Sequence, residues 1–587
     1  MYAGRNFSSY NAPSVNVDGF VVFRARSTGG GSPSTGIFGR LYGVDKGIVR
    51  QAGRRTTVAQ PNNLNTKFVE FPSFPRSSPG AYNVAFRGNH GPVWKYGDEE
   101  NETRVGNTGL YFNLDPRDDD GNTTDTSENL QTAIAKLGSV PGEFSDLYQV
   151  PGLVGDDGMK LTGVIFDVFP GAPAIDDEGF IGTKGNYNKL GIPQTGVFYR
   201  NLTEGTSGVV ELGTLHVIAN SETTIPEPIG LTQTKVCSTP NSTFGSTAPP
   251  SVAKGRMVFL GLDNEDAPMC GGIYEAPMNS TNFPDLTPLV DLETAVPGES
   301  NELFAQLGEV LSYDGYAVVF WGSWGNGTKD IKLCCPSSGN RDRRDFCTSE
   351  GVYSPDLGDQ NTIFSNDTIE GCNSSKYQER TVPENQGFFV YDTVHESLKT
   401  VAKLTADDEN DMVFWTYSGK LFCSLQSFFM SEHFSYLSYL AHNQLHMTGK
   451  PPSTGSSNST GRHILTRQLK DDNSDAAEKP SWRSSATAAL SQYNNIVYKQ
   501  LFNGSVGLWH WNGYVSDIIV ETGQNCTDLD DAGTGKVESL AMERDGFRGA
   551  TLAIAAACAE EVVDDAEEHS DDGDWGGIYL KTFCPVV

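Results

Sequence analysis

The chain has 587 residues, with 74 acidic and 43 basic side chains and a formal net charge of −31. That balance excludes a nucleic-acid partner, which needs a basic surface, and opposes adsorption to anionic lipid. It favours cations, Ca2+ above all, with plain solubility as the competing explanation.

No apolar run approaches the ~18 residues that cross a bilayer, so no membrane span is expected. The 64 glycines and 30 prolines suit the many tight turns of an all-β fold. The opening stretch MYAGRNFSSY shows neither a charged n-region nor an apolar stretch, so no signal peptide is visible in it.

From there one phrase recurs along the chain. It runs "PSVNVDGFVVFRARS" from Pro13 and "PSFPRSSPGAYNVAFRG" from Pro72. It returns as "PAIDDEGFIGTKG" from Pro173 and, after Pro250, "SVAKGRMVFLG". The later versions are "VLSYDGYAVVFWG" from Val310, "SSATAALSQYNNIVYKQ" from Ser484 and "SLAMERDGFRGATLAIAA" from Ser539. Each version reads as a short strand, a turn carrying Gly, Asp or Asn, and a longer apolar strand. A Gly-aliphatic-aromatic step such as Gly272-Ile273-Tyr274 or Gly387-Phe388-Phe389 then opens a third strand. A fourth follows, as in "LTPLVD" and "LHVIA".

Four short antiparallel strands cannot bury both of their faces alone, but stacked around an axis they can. The expected fold is therefore all-β, a β-propeller of about seven four-stranded blades over residues 10–585, with units starting near 13, 72, 173, 250, 310, 484 and 539. The degenerate seventh unit is expected to close the ring with help from the N-terminal residues. Two β-sandwiches or an open solenoid are the rival architectures.

Two stretches interrupt the rhythm. Residues 325–385 hold Cys334, Cys335, Cys347 and Cys372 with three glycosylation sequons, and read as a disulfide-stapled, glycosylated excursion from the fifth blade. Residues 416–480 hold a second. There Ser424–Met447 has apolar and aromatic residues at helical spacing, followed by a Ser/Gly-rich linker.

The clearest phrase, "PSVAKGRMVFLG…GGIYEA…LVDLETAVPGE" over residues 250–299, resembles the repeat of secreted β-propeller-like proteins of uncharacterised function, common among exported bacterial proteins with C-terminal sorting signals. The resemblance covers most of the chain outside the insertions and fades in the sixth and seventh units. It implies fold and secretion, not chemistry. No C-terminal sorting helix precedes the final KTFCPVV.

Other features also point outside the cell. Sequons occur at Asn6, Asn101, Asn122, Asn201, Asn241, Asn279, Asn326, Asn366, Asn373, Asn458, Asn503 and Asn525. The ten cysteines are Cys237, Cys270, Cys334, Cys335, Cys347, Cys372, Cys423, Cys526, Cys558 and Cys584. They show no CxxC pair and no zinc-finger spacing, so disulfides and an oxidising compartment are expected, with a eukaryotic secretory pathway leading to the cell surface or beyond. A cytosolic acidic protein is the plain alternative.

Catalytic signatures are weak. His442 and His446 share a helical face but lack the Glu of HExxH. "GTGKV" lacks the Ser/Thr and upstream Gly of a P-loop, "SDDGDW" misses the sialidase Asp-box spacing by one, and no G-x-S-x-G elbow occurs. Calcium is the better-supported ligand. Candidate positions are Asp118 and Asp120 in "DPRDDDGNTTD", Asp528 and Asp530 in "CTDLDDAG", and Asp572 and Asp574 in "HSDDGDWGG", although solvated acidic loops explain each.

The expected role is structural or adhesive rather than enzymatic. The chain would be a subunit of a filament or surface assembly, joining further copies head to tail or meeting other extracellular proteins. The alternative is a polysaccharide-binding or polysaccharide-active protein that uses the mouth of the channel, with Trp321, Trp324, Trp415, Trp509 and Trp511 available to stack on sugars, although blade-core packing explains most of them.

Overall fold

The structure is a computed structural model. It describes residues 7–27, 34–42, 49–53, 67–90, 95–96, 103–114, 130–137, 148–155, 157–204, 210–227, 242–265, 267–334, 362–364, 376–408, 412–414, 487–491, 495–502, 505–529, 535–559 and 575–583. Among these, no helix is long and apolar enough to cross a membrane.

Seven antiparallel sheets follow one another in chain order. The fourth shows the plan most plainly. Its innermost strand A is broken into Ser246–Thr247 and Ser251–Ala253, joined by the link Ala248-Pro249-Pro250. Both halves pair with strand B, Arg256–Leu262; C is Gly271–Pro277 and D is Thr287–Asp291. Proline breaks the A ladder because it has no N–H to donate.

The axis-side halves of the seven A strands are Ser14–Val15, Arg76–Ser77, Ala174–Ile175, Ser251–Ala253, Ser312–Tyr313, Ala488–Leu490 and Phe547–Arg548. Each touches the next, and the last touches the first. That closed circuit makes the molecule a seven-bladed β-propeller and rules out both a pair of sandwiches and an open solenoid. In the second blade the inner strand begins after Pro75, not after Pro72, so the link there is longer.

Period-two alternation buries both faces of every B strand. In blade 4, Val258, Leu260 and Leu262 face the core shared with blade 5, while Met257 and Phe259 face the core shared with blade 3. Blade 5 continues the scheme. Val318 and Phe320 look back to blade 4, and Val319 and Trp321 look on to blade 6. Each such side chain contributes about 1.5–3 kcal/mol by leaving water. The ring closes on a last core in which Val15, Val21, Phe23 and Ala25 of blade 1 meet Ala553 of blade 7. The N-terminal strand Phe7–Tyr10 pairs within its own blade and packs on Trp575–Thr582, so the join is made by side chains and not by a shared sheet. No D strand occurs in blade 7 among the described residues.

A phenylalanine in, or in blade 4 just before, the outer half of strand A lies over a glycine of strand B in four blades. A Cβ on Gly88, Gly185, Gly261 or Gly322 would come within 2.5, 2.7, 2.5 and 2.8 Å of the rings of Phe68, Phe166, Phe244 and Phe304. The glycine closing the B-strand phrase is therefore a seat for an aromatic ring, beyond any role in a turn.

The A–B turns of blades 2 to 5 contact one another in series on one face. Asp177 of blade 3 accepts from the N–H groups of Gly80 and Ala81 in blade 2, at 2.6 and 2.8 Å. Asp176 accepts from Phe180 and Glu178 in its own turn and from Gly255 of blade 4, at 3.0 Å. The Lys254 ammonium then sits 3.1 Å from the centroid of the Tyr316 ring in blade 5.

The first insertion begins and ends as strand. Ala317–Cys334 and Lys376–Asp392 pair as far as Cys334 opposite Tyr377, so the excursion leaves from the end of a lengthened B–C hairpin. The second leaves from the A strand of blade 6. Val413 pairs with Leu501, and Ala488–Leu490 with Tyr498–Ile496. The helix expected at 424–447 and the His442/His446 pair lie outside the described residues.

Candidate functional site at the propeller axis

The A-strand links converge on the axis, and that of blade 7 is unlike the others. Where blade 4 has Ala248-Pro249-Pro250, blade 7 has Met542-Glu543-Arg544-Asp545-Gly546. Arg76 reaches it from blade 2, with Nη2 2.7 Å from Glu543 Oε2 and Nη1 3.0 Å from Asp545 Oδ2. Arg548 places Nη2 2.5 Å from Asp545 Oδ1. Arg544 spans to blade 4, donating Nη1 to the Pro249 carbonyl at 3.2 Å and Nη2 to that of Pro250 at 2.5 Å.

Other blades join this cluster. Ser312 of blade 5 donates to the Arg544 carbonyl at 2.6 Å and accepts from the Leu490 N–H of blade 6 at 3.1 Å. Arg548 donates to the carbonyls of Leu490 and Tyr313. Val15 of blade 1 donates to the Asp545 carbonyl at 2.9 Å. All five charged side chains are buried.

Their proton affinities reflect that enclosure. Burial would raise the Asp545 carboxyl, but Arg76, Arg548 and Arg544 hold it below the ordinary carboxylate value. Burial lowers Arg544 to about 10, and the neighbouring Arg76 charge pushes the same way. Arg76 is lowered by burial but raised more by Glu543 and Asp545, so it stays firmly charged. The arrangement locks six of the seven blades to one link. Removing one partner of such a buried pair typically costs about 3–5 kcal/mol.

A smaller buried cluster joins blades 4 and 5. Tyr313 donates its hydroxyl to Glu275 Oε1 at 2.5 Å, and Arg256 pairs with the other carboxylate oxygen. Burial and Glu275 push the Tyr313 phenol well up.

Exposed apolar side chains lie on both faces of the disc. On the face of the A–B and C–D turns stand Tyr316 and Val394 of blade 5 and Tyr514 and Val515 of blade 6, with Tyr514 92% exposed. On the opposite face stand Val154, Leu190 and Ile192 of the third blade and its approach and Met269 of the fourth, with Leu190 74% exposed.

The residues singled out from sequence distribute as follows. Trp321, Trp324 and Trp511 are buried in the interblade cores and Trp509 packs against one of them, so these four serve blade packing, as expected for most of them, and do not form sugar-stacking platforms. Trp415 lies outside the described residues. Cys526 and Cys558 form a disulfide with Cα atoms 6.2 Å apart, and Cys270 is disulfide-bonded too. Cys334 ends the B strand of blade 5; Cys237, Cys335, Cys347, Cys372, Cys423 and Cys584 lie outside the described residues.

Among the sequons, Asn279, Asn326 and Asn525 are exposed. Asn201 is half-buried in the C strand of blade 3, and its Oδ1 is enclosed without a hydrogen bond. The other eight lie outside the described residues. Asp528 is exposed and accepts from Gln524 Nε2 at 3.0 Å, while Asp118, Asp120, Asp530, Asp572 and Asp574 lie outside the described residues. Among the described residues no three metal-ligating side chains gather.

Sequence reasoning missed the axial cluster. "MERDGFR" reads as an ordinary charged turn, and only its place opposite "APP" in the repeat would have marked it as facing the axis.

The fold and the axial cluster together define a seven-bladed propeller with a charged plug. No protein family matches the chain, and no curated protein matches it in sequence. Solved structures similar to it are distant. The polysaccharide lyase Uly1 is 11% identical over 54% of this chain and 54% of its own, with a TM-score of 0.25. An oligogalacturonate lyase in complex with manganese is 9% identical over 72% of this chain and 89% of its own, also at 0.25. The Nup133 β-propeller domain of Vanderwaltozyma polyspora is 8% identical over 88% of this chain and 100% of its own, at 0.21. Similarity at this level carries no functional argument.

Proposed function

We propose that the chain is an extracellular, N-glycosylated structural or adhesive protein that associates head to tail with further copies of itself. The observation that carries this reading is the presence of exposed apolar residues on both faces of the disc, Tyr514 and Val515 on one and Leu190 and Ile192 on the other. Two different patches on opposite faces suit a heterologous contact, which propagates instead of closing as a dimer. The patches sit over different blades, so successive copies would be offset and the assembly would wind.

Other features accord with an oxidising, exposed setting: the Cys526–Cys558 disulfide and three sequons on exposed asparagines. Calcium held by the acidic loops, at Asp528 among others, belongs to the same reading as a bridge between copies. The polysaccharide reading has less support, since three of its five tryptophans are buried in the blade cores and Trp509 packs against one of them.

The test pairs two variants, Leu190→Asp with Ile192→Asp, and Tyr514→Asp with Val515→Asp. Wild type should sediment as long oligomers and form fibres in negative stain. Each variant alone should be monomeric, and the two mixed should form dimers, because one intact patch of each kind remains. Monomeric wild type with and without Ca2+, or variants that polymerise like wild type, would overturn the reading.

A further inference from the structure

We propose that the propeller axis binds one small monovalent anion, of the size of chloride, between Arg76 and Arg544. This inference is independent of the assembly proposed above. It starts from a charge count. Three guanidinium groups, Arg76, Arg544 and Arg548, share the axis with two carboxylates, Glu543 and Asp545. Among the described residues the cluster therefore carries one unbalanced positive charge, buried at the centre of a chain whose net charge is −31. The other groups bonded to the arginines are carbonyls, those of Pro249, Pro250, Leu490, Tyr313 and Phe547, and the Ser312 hydroxyl. They satisfy donors without cancelling charge. An isolated buried charge is costly unless a counter-ion meets it.

The hydrogen-bond inventory points to the same place. Arg76 and Arg544 side chains are 4% and 3% exposed, yet Arg76 Nε and Arg544 Nε have no hydrogen-bond partner, while Arg76 Nη1 is held by the ion pair with Asp545. The two guanidinium groups flank one oxygen: Asp545 Oδ2 lies 3.0 Å from Arg76 Nη1 and 3.7 Å from Arg544 Nε. The two guanidinium groups are thus close enough to repel across Asp545, with idle N–H donors beside them. An anion there would take those donors, cancel the surplus charge and relieve the repulsion. The burial of both guanidinium groups restricts the ligand to a small one, and a buried guanidinium pair prefers a weakly hydrated halide to water.

The test uses the full-length protein. Thermal unfolding is followed as chloride replaces gluconate at constant ionic strength, and bromide-soaked crystals are examined for an anomalous peak. The expected result is a chloride-dependent rise in Tm that saturates as one site does, with a bromide peak between Arg76 and Arg544. Glu543→Gln adds to the positive surplus and should lower the half-saturating chloride concentration several-fold. Arg76→Gln removes the surplus and should abolish the dependence. Should Arg76→Gln fail to fold, Glu543→Gln and the bromide peak decide. Indistinguishable unfolding in chloride and gluconate, or no bromide peak at the axis, overturns the proposal.

Discussion

Blades 4 and 7 occupy equivalent places in one ring and solve the axis differently. In blade 4 the link between the two halves of strand A is Ala248-Pro249-Pro250, and it offers only backbone carbonyls. In blade 7 the link offers Glu543, Arg544 and Asp545, which those carbonyls and Arg76 receive. The proline link of blade 4 brings the Pro249 and Pro250 carbonyls to the axis without donors of its own, and the charged link of blade 7 supplies the donors that match them.

The comparison breaks most sharply at Arg76. Replacing Arg76 by Met leaves Glu543 and Asp545 buried without their shared partner, and should cost about 3–5 kcal/mol in chemical denaturation. Pro250→Ala, at the same level in blade 4, keeps the carbonyl that Arg544 uses and should cost under about 1 kcal/mol. Equal costs for the two substitutions would mean that the plug is no more than filling.

The second difference between these blades is how their edges are held. Blade 4 has a full D strand; blade 7 has none among the described residues, but its B strand is fastened by Cys558 to Cys526 in the connector from blade 6. The bridge spans 32 residues, and closing a loop of that length stabilises by roughly 3–4 kcal/mol. Substituting both cysteines by serine should lower stability by about that amount, and hydrogen exchange should accelerate first in Thr551–Ala559. Uniform acceleration around the ring would show that blade 7 has no special need of the bridge.

The same contrast explains what could be read in advance. The repeated phrase made the blades legible because an interblade core imposes a period of two on every B strand, and "RMVFLGL" and "AVVFWG" obey it plainly. Phe68, Phe166 and Phe244 escaped notice because each stands several residues ahead of the phrase, in or just before a half-strand too short to show a period. The tryptophans fit either use from sequence, because a bulky aromatic serves a blade core and a sugar platform equally well; burial in the cores is the use the structure shows for Trp321, Trp324 and Trp511. The axial arginines and carboxylates were invisible for a different reason. Arg76 and Glu543 are 467 residues apart, and nothing local in either segment announces the other.

Blades 3 and 7 offer the finest comparison, between two buried aspartates with opposite responses to pH. Asp176 sits in the A–B turn of blade 3, where blade 1 has Asn16. Burial raises its carboxyl to about 6, although the N–H groups of Phe180, Gly255 and Glu178 partly restrain the rise. Asp545 is held below the ordinary value by its arginines. Between about pH 4 and 6 the folded chain retains a proton on Asp176 that the unfolded chain has released. The stability from this group is therefore complete below about pH 4 and is lost as the pH rises through 6, to the extent of about 3 kcal/mol. Asp545 does the reverse: its contribution is present above the unfolded value near 4 and disappears as the solution becomes more acidic. Subtracting the pH–stability profile of Asp176→Asn from that of wild type should leave a downward step between pH 4 and 6, and the acid limb below pH 4, to which Asp545 contributes, should survive in the variant. Parallel profiles would mean that the turn's three N–H groups keep Asp176 ionised throughout, as its hydrogen bonds alone would have it.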